Sequence, residues 1–198
     1  MIDRSIPYCS IFMRCDSYSF QPVRLPVGYH LINYHPGLEK EWARLETAVG
    51  DYSSLSAAEE YFVSEFTGKH LDDHIFFIKD EFDRVVGSCI AWHRERDEEK
   101  LNLLHWLIVD EQFQGQGLGH VLCQTVMNAF FKENNKPVYL HTQPWSYKAI
   151  FLYTKLGFKL EKFDSFPPHK NEYNRAMAVL KNIVTPMQYS YLIAHSEE

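Results

Sequence analysis

The sequence of 198 residues has no long apolar run and only four cysteines. No stretch approaches the roughly 20 apolar residues of a membrane-spanning helix, so we predict no membrane partner. The N-terminal stretch "MIDRSIPYCSIFMRCD" has no apolar run of signal-peptide length. No two cysteines form a C-x-x-C pair, and the chain is unlike a small disulfide-stapled secreted scaffold, so we predict reduced thiols and a cytoplasmic location. The cysteines are Cys9, Cys15, Cys89 and Cys123.

Basic charge is also in short supply. The chain has 20 Lys and Arg against 26 Asp and Glu, a net charge of −6, with a pI near 5.9. This balance argues against a nucleic-acid partner or an anionic membrane surface, and it is compatible with cationic or neutral substrates. Hydrophobic residues make up 45% of the chain, which excludes a disordered or fibrous protein and allows a sizeable core.

The chain shows no internal repeat, low-complexity tract or long linker. We therefore predict a single domain over residues 1–198. Within it, residues 1–26 are predicted to be an N-terminal strand or flap extension, and residues 182–198 a C-terminal tail.

Apolar periodicity predicts the order strand, two helices, three strands, helix, strand, helix and two strands, with a further strand or flap at the N-terminus. This order indicates an α/β (α+β) fold with a mixed sheet. The predicted strands are Tyr8–Cys15, Tyr29–Tyr34, "HIFFIKD", "RVVGSCIAWHR", Leu101–Asp110, "PVYLHT", "FKLEKF" and "YNRAMAVLK". The predicted helices are "HPGLEKEWARLETAVG" ended by Gly50, Ser56–Gly68 with Ser56 as N-cap, "GHVLCQTVMNAFFKENN" and Ser146–Gly157.

The stretch "QFQGQGLGHVL" places three glycines between a predicted strand and a predicted helix. A glycine turn before a helix exposes N–H groups at the positive end of the helix dipole, which is an anion site, and a Cβ there would keep a phosphate away. A P-loop is excluded because His120 and Val121 follow Gly119. A dinucleotide fingerprint is excluded because His120 takes the place of its last glycine. The pattern [Q/R]-x-x-G-x-[G/A] is met by Gln114, Gly117 and Gly119.

Two segments together resemble the GNAT superfamily of acyl-CoA-dependent N-acetyltransferases. "VDEQFQGQGLGHVL" is similar to the family's pyrophosphate loop after its fourth strand, and "LHTQPWSYKAIFLYTKLGF" to its helix after the fifth strand. The resemblance covers about residues 85–158 by motif. It implies a mixed, mostly antiparallel central sheet flanked by about four helices.

The resemblance also implies acetyl-CoA as a co-substrate. The residues that it implies in pyrophosphate binding are Gln114, Gly115, Gln116, Gly117, Leu118, Gly119 and His120. The acetyl carbonyl is expected against backbone N–H groups of the fourth strand, at Leu107, Ile108 and Val109. The chain departs from the family at Glu111, where proline is common, and at Ser146, where asparagine is common. Ser146 remains a coenzyme-contact candidate, although the sequence also predicts that it caps its helix.

Acetyl transfer to an amine needs a proton acceptor and gains from a proton donor. An amine attacks a thioester only when it is unprotonated, and the departing thiolate gains from a nearby acid. The resemblance implies direct attack without an acyl-enzyme, with Tyr153 as the acid. Some family members have a carboxylate base at the position of His141, and histidine suits that role with a reference pKa of about 6.5. His105, in the apolar fourth strand, is the second candidate for the base.

Each of these three residues also has a purely structural interpretation. Tyr153 fits an aromatic residue on an amphipathic helix, His141 a strand histidine held by a hydrogen bond, and His105 a satisfied core histidine. Strand alternation places His105 on the face of Leu103, Leu107 and Val109. In the family the fourth and fifth strands are neighbours, which would let both imidazoles face one cleft.

Three further segments have simpler explanations. His70 and His74 are four residues apart but lack a third ligand, so they are predicted to be surface residues, and no metal is expected. The charged run Arg94–Lys100 is predicted to be a solvated hairpin turn. The resemblance implies that the loop Phe166–Lys170 lines the acceptor pocket.

Two hypotheses follow. The first is an N-acetyltransferase, a monomer or homodimer, that acetylates a primary amine of a small molecule or a peptide. The alternative is a catalytically silent acyl-CoA-binding sensor or partner domain of the same fold. The sequence does not identify the acceptor.

Overall fold

The computed structural model describes residues 3–66, 71–96 and 99–197. The chain divides into two compact units, and each unit is made of segments that are not consecutive in the sequence. The first unit comprises residues 19–92 and 104–134, and the second comprises residues 3–18, 93–103 and 135–197. Gly68, His70 and the centre of the charged run at residues 97–98 lie outside the described residues, so the predictions made for them remain predictions.

The described residues form seven strands and seven α-helices. The strands are β1 (Ile11–Cys15), β2 (Tyr29–Asn33), β3 (Ile75–Asp80), β4 (Val85–Arg96), β5 (Glu99–Val109), β6 (Val138–Thr142) and β7 (Lys159–Leu160). The helices are α1 (Leu38–Val49), α2 (Leu55–Glu65), α3 (Leu71–His74), α4 (Leu118–Lys132), α5 (Tyr147–Lys155), α6 (Tyr173–Ile183) and α7 (Pro186–Ala194). Short 3-10 turns precede α4 and α5 at Glu111–Phe113 and Pro144–Ser146.

The strand order of the sheet is β2-β3-β4-β5-β6-β1-β7. In the first unit, β3 pairs antiparallel with both β2 and β4. In the second unit, β1 pairs antiparallel with β6 and β7, while β5 pairs parallel with β6 at Asn102–Val138 and Leu103–Tyr139. The predicted mixed, mostly antiparallel sheet is therefore confirmed, although about four helices were expected and the described residues contain seven.

Helix α1 forms where its apolar spacing predicts it. Leu38, Trp42 and Leu45 are buried at intervals of three and four residues, and Gly50 ends the helix in the left-handed conformation. Helix α2 begins earlier than predicted, because Ser54 is the N-cap and its side chain accepts a hydrogen bond from the Ala57 N–H. The prediction of Ser56 as the cap is wrong.

A close contact between backbones positions the end of β5. A Cβ on Gly87 of β4 would lie 2.9 Å from the Ile108 carbonyl oxygen and 3.2 Å from the Leu122 side chain of α4. Only glycine fits between these groups without a shift of the neighbouring chain. The start of the glycine turn is therefore fixed by packing inside the first unit.

The C-terminal part of the second unit is helical, which corrects the prediction of a final strand at "YNRAMAVLK". Ala176, Met177 and Leu180 are buried at helical spacing in α6. A short apolar run fits both the helical and the strand period, so periodicity alone did not separate them. Within the predicted tail, Thr185 and Gln188 form a capping box that begins α7.

The predicted N-terminal strand is confirmed as β1. It lies between β6 and β7 and is buried along almost its whole length. The N-terminal extension is thus an inner strand of the second unit. Among the described residues, no helix has the length and apolar character needed to cross a membrane.

Candidate functional site

The glycine turn of the first unit is shaped by its own side chains. Asp110 donates its N–H to the Val86 carbonyl at 2.9 Å and accepts a hydrogen bond from the Gln112 N–H at 3.1 Å. Gln114 donates its amide to the Val109 carbonyl at 3.0 Å. These bonds stabilise the 3-10 turn and fix the backbone conformation that leads into the glycines.

Gly115 and Gly117 have left-handed backbones with φ of 78° and 86°. A Cβ built on either residue meets no atom within 4 Å, so open space lies in front of the turn. Gly117 is the N-cap of α4, and Leu118, Gly119 and His120 open the helix. N–H groups in the first turn of a helix lack intrahelical acceptors and sit at the positive end of its dipole. The turn can therefore hold an anion on backbone groups.

Side chains from other segments also surround the glycine turn, and the sequence analysis did not identify them. Tyr29 donates its hydroxyl to Gln116 Oε1 at 2.8 Å, and its ring packs edge-on against Phe113. The Arg84 guanidinium lies 5.4 Å from the centre of the Phe113 ring. A cavity of about 210 Å³ lies beside the turn, with Tyr29, Arg84 and Gln116 in its lining. No sequence motif marks Tyr29 or Arg84, because both come from distant parts of the chain.

A larger cavity of about 570 Å³ in the first unit is lined by charges of both signs. Arg44 on its wall donates to Glu41 Oε2 at 2.9 Å and to the Val85 carbonyl at 2.6 Å. Arg84 donates to Asp80 Oδ2 at 2.7 Å. These arginines are committed to protein partners, so the cavity is not a strong anion site.

The predicted strand Leu101–Asp110, which the resemblance equates with the family's fourth strand, is β5 in the structure. The regular strand conformation of β5 is interrupted at Trp106. This residue has a left-handed φ of 48°, which interrupts the two-residue alternation of a strand. The predicted face shared by His105 with Leu107 and Val109 rests on an alternation that the strand does not keep. His105 lies against the rings of Phe66 and Trp106 in the first unit.

His141 of the second unit lies in a cluster of polar and aromatic side chains. Its Nε2 is 3.2 Å from Ser10 Oγ. Its ring stacks on His169, with ring centres 4.0 Å apart and planes 5° from parallel, and it also contacts Phe12. Burial, and then the proximity of His169, lower the pKa of His141 to about 4. His141 is therefore neutral at pH 7 and can accept a proton.

Ser10 is held in place by a carboxylate. Glu172 Oε2 accepts a hydrogen bond from the Ser10 N–H at 3.0 Å, and the Glu172 N–H donates to the Ser10 carbonyl at 3.0 Å. Arg175 donates to the other oxygen of Glu172 at 2.7 Å. The Ser10 N–H, and then Arg175, lower the pKa of Glu172, so this carboxylate is ionised near neutral pH.

Tyr153 is buried in α5, with 7% of its surface exposed, and packs against Phe158. Its carbonyl accepts hydrogen bonds from the N–H groups of Leu156 and Phe158 at the end of the helix. Ser146 occupies the N-cap position of α5, but its side chain makes no capping hydrogen bond. The prediction that Ser146 caps its helix is thus wrong, and its hydroxyl instead lies 3.3 Å from Gln143 Nε2.

The sequence-predicted site residues divide between the two units. The first unit contains His105, Leu107, Ile108, Val109 and residues 114–120, and the second contains His141, Ser146 and Tyr153. Around His141 the structure adds Tyr8, Ser10 and Glu172, which carry no sequence motif. His169 belongs to the loop Phe166–Lys170, which the family resemblance had indicated. His74 lies 2.8 Å from Glu133 Oε1, in a pairing that no sequence pattern marks.

Comparisons with known proteins agree with this architecture. Residues 38–158 match the model of the acetyltransferase (GNAT) family. N-acetyltransferase 8B of Homo sapiens is 30% identical over 102 residues, which is 49% of this chain and 44% of that protein. Probable N-acetyltransferase camello of Xenopus laevis is 30% identical over 127 residues, which is 64% of this chain and 57% of that protein. The chain thus spans about half the length of these curated relatives.

Among solved structures, the GCN5-related N-acetyltransferase from Sphaerobacter thermophilus has a TM-score of 0.60 at 18% identity. The match covers 77% of this chain and 48% of that one. At this identity the likeness concerns the fold.

Proposed function

The chain belongs to the acetyltransferase (GNAT) family, and on that premise we propose that it is an N-acetyltransferase. The proposed reaction moves an acetyl group from acetyl-CoA to a primary amine of a small molecule or peptide, by direct attack in a ternary complex. The observation that carries this proposal is the turn at Gly115 and Gly117, which opens the N-terminus of α4 toward empty space. The acceptor, a cytoplasmic location, a monomeric or homodimeric state and the absence of nucleic-acid and metal partners stay predictions.

The glycine turn fits the pyrophosphate of acetyl-CoA. Backbone N–H groups between Gln114 and His120 bind the phosphate oxygens, and the helix dipole adds to the attraction. The backbone of Leu107–Val109 holds the acetyl carbonyl, and the Ser146 hydroxyl is a further contact. A side chain at Gly115 or Gly117 would project into the open space in front of the turn, which explains why glycine occurs at both positions.

The proposed chemistry assigns one proton acceptor and one proton donor. His141 takes the proton of the amine, since its imidazole is neutral at pH 7. Tyr153 donates its hydroxyl proton to the departing thiolate. His105 is the alternative base, and the two are separated by comparing His141→Gln with His105→Gln using one acceptor. The variant that loses turnover without a change in fold identifies the base.

The test of the coenzyme site compares two glycines with the same local geometry. Gly117 and Gly37 are both N-caps with φ of 86° and 105°, and neither has an atom within 4 Å of a built Cβ. Alanine at either position costs about 1–2 kcal/mol of stability from backbone strain. Calorimetry should show that Gly117→Ala lowers acetyl-CoA affinity roughly tenfold or more, about 1.4 kcal/mol, while Gly37→Ala keeps it.

Gly119→Ala is the second control. Gly119 lies inside α4 without a left-handed backbone, and the sequence pattern accepts alanine there, so its affinity should be retained. Equal affinity in Gly117→Ala and wild type would contradict the proposed site. Thiol release from acetyl-CoA across an amine library then separates the two hypotheses. Binding without thiol release for any amine would support the catalytically silent alternative.

A further inference from the structure

A chain of hydrogen-bonding groups connects His141 to a second imidazole. His141 Nε2 lies 3.2 Å from Ser10 Oγ, and the Tyr8 hydroxyl lies 3.1 Å from the same oxygen. The Tyr8 hydroxyl also lies 3.4 Å from His169 Nδ1. These distances lie at the long end of the hydrogen-bond range. The four side chains form a continuous path in the second unit.

The path leads from the interior to the surface. Ser10 is buried, with 3% of its surface exposed, whereas Tyr8 is 42% exposed and His169 is exposed to solvent. Tyr8 and Ser10 precede β1, and His169 belongs to the loop between β7 and α6. Three separate segments therefore converge on one line of polar groups, and packing of β1 alone does not require a tyrosine hydroxyl and a serine hydroxyl in this register.

A half-buried base of this kind needs an outlet for its proton. With a pKa of about 4, His141 holds a proton in only about one molecule in a thousand at pH 7. A base that cannot keep the proton of an ammonium group is effective only if the proton moves on. The stacked His169 ring also disfavours a charge on His141.

We propose that Ser10, Tyr8 and His169 form a proton relay that carries the proton from His141 to solvent. This proposal rests on the proposed function, in which His141 is the base. It gives the N-terminal segment a part in catalysis, because Ser10 and Tyr8 become proton-transfer residues of the amine-acetylation reaction.

The transfer is balanced and needs no further reactant. In the starting state, His141 carries its proton on Nε2 and donates to Ser10 Oγ, which leaves Nδ1 to receive the proton of the amine. His141 then releases the Nε2 proton to Ser10, Ser10 releases its hydroxyl proton to Tyr8, and Tyr8 releases its own to His169 Nδ1. His169 finally loses its Nε2 proton to water. One proton leaves the amine and one enters solvent. Before the next turnover, both hydroxyl groups rotate and both neutral imidazoles return to the Nε2-protonated tautomer by proton exchange with water, which restores the starting state without net proton transfer.

The charges around the path favour this direction. Partial loss of solvent around the exposed His169 ring, and then the positive charge of Arg94, lower the pKa of His169, so the last imidazole gives up its proton readily near neutral pH. Glu172 is the carboxylate at the other end, where it fixes the Ser10 backbone and is itself paired with Arg175. Phe12 is the neighbour of His141 from β1 and carries no charge.

The kinetic test removes single hydroxyl groups. In Tyr8→Phe and Ser10→Ala, kcat should fall by roughly tenfold to a hundredfold. Acetyl-CoA affinity should be unchanged, the solvent deuterium isotope effect on kcat should change, and imidazole added to the buffer should restore part of the rate. Tyr173→Phe and Ser196→Ala are the matched controls, since Tyr173 donates to Ser196 Oγ at 2.8 Å in the same unit, outside the cluster. Both controls should keep wild-type kinetics.

Each kinetic outcome decides between the relay and the proposed function. If His141→Gln abolishes turnover while Tyr8→Phe and Ser10→Ala keep the wild-type kcat and isotope effect, the proposed relay is wrong and the assignment of His141 as the base is retained. If His141→Gln keeps wild-type turnover, His141 is not the base and the relay falls with it.

A second measurement does not depend on activity. Long-range proton–nitrogen NMR spectra should show His141 and His169 both protonated on Nε2 in their neutral forms. Tyr8→Phe should raise the pKa of His169, because the lost hydroxyl donates to its neutral ring. The opposite tautomer in either ring, or an unchanged His169 titration in Tyr8→Phe, would overturn the relay.

Discussion

At the scale of single residues, the proposed chemistry depends on groups that the fold holds in an uncharged form. His141 is the clearest case. Its pKa is about 6.5 in an unfolded chain and about 4 in the folded protein, because burial disfavours the imidazolium. Above pH 6.5 the ring is neutral in both states and contributes no penalty. As the pH falls from 6.5 through 4, the unfolded chain binds a proton that the folded protein excludes, so stability is lost.

His141→Gln should remove this acid-dependent loss. Wild type should lose up to about 3 kcal/mol more of its unfolding free energy between pH 7 and pH 4 than the variant does. Urea titrations at a series of pH values measure the difference. His35→Gln, at an exposed histidine, is the control and should follow wild type. Parallel stability curves for wild type and His141→Gln would show that His141 is not buried in its neutral form.

The proposed role of Tyr153 also depends on a single polar atom, the hydroxyl oxygen. Tyr153→Phe keeps the buried ring and removes only the hydroxyl. If that hydroxyl protonates the coenzyme thiolate, kcat should fall by roughly a hundredfold, with little change in acetyl-CoA affinity. Tyr147→Phe, on the same helix, should keep wild-type kcat. Wild-type turnover in Tyr153→Phe, measured where chemistry limits the rate, would leave Tyr153 a packing residue.

At the scale of elements, the short strand β7 is joined to the C-terminal segment that follows α7. Leu160 exchanges backbone hydrogen bonds with this segment, accepting from the Glu197 N–H and donating to the His195 carbonyl. The neighbouring Glu161 is buried, and burial, followed by the proximity of Glu197, raises its pKa to about 7. Two carboxyl groups therefore meet where residues 195–197 lie against β7.

The Glu161 carboxyl should make this docking sensitive to alkali. Between its unfolded pKa of about 4.5 and its folded pKa of about 7, the folded protein holds a proton that the unfolded chain has released. Its stabilising contribution is complete below pH 4.5 and is lost as the pH rises through 7. The amide of Glu161→Gln is uncharged at every pH, so this variant should not lose stability as the pH rises. At pH 8 it should be more stable than wild type by on the order of 1–2 kcal/mol. Thermal unfolding at pH 5 and pH 8 measures this, with Glu81→Gln at an exposed position as control.

At the scale of the whole molecule, the sequence predicted the elements that carry a strong period or a motif. Helix α1, the strands of the sheet and the turn before α4 follow from apolar spacing and glycine placement. The final strand was mispredicted because the apolar run of α6 is too short to separate the two periods. Helix α7 was not predicted, although the spacing of Thr185 and Gln188 is that of a capping box and could have indicated where the helix begins.

The candidate site was predictable only where it is local in sequence. The glycine turn is a contiguous motif, and the family resemblance singled out His141 as a candidate base. Tyr8 and Ser10 precede β1, and the pairing of β1 with β6 brings this segment to His141. Glu172 precedes α6 and is joined to Ser10 by hydrogen bonds. The shift in the pKa of His141 has the same origin, because burial and a stacked neighbour are properties of the folded chain.

The inner position of β1 has a consequence for the time course of synthesis. Cys15 pairs with Val138, which lies 123 positions further along the chain. At ribosomal rates of about 5–20 residues per second, this strand waits roughly 6–25 s for its first partner. Throughout that interval a nascent chain carries an exposed apolar segment without its partner strands, which is the kind of segment that chaperones bind. In the first unit the corresponding delay is shorter, because Tyr29 of β2 pairs with Asp80 of β3, about 50 positions further along the chain.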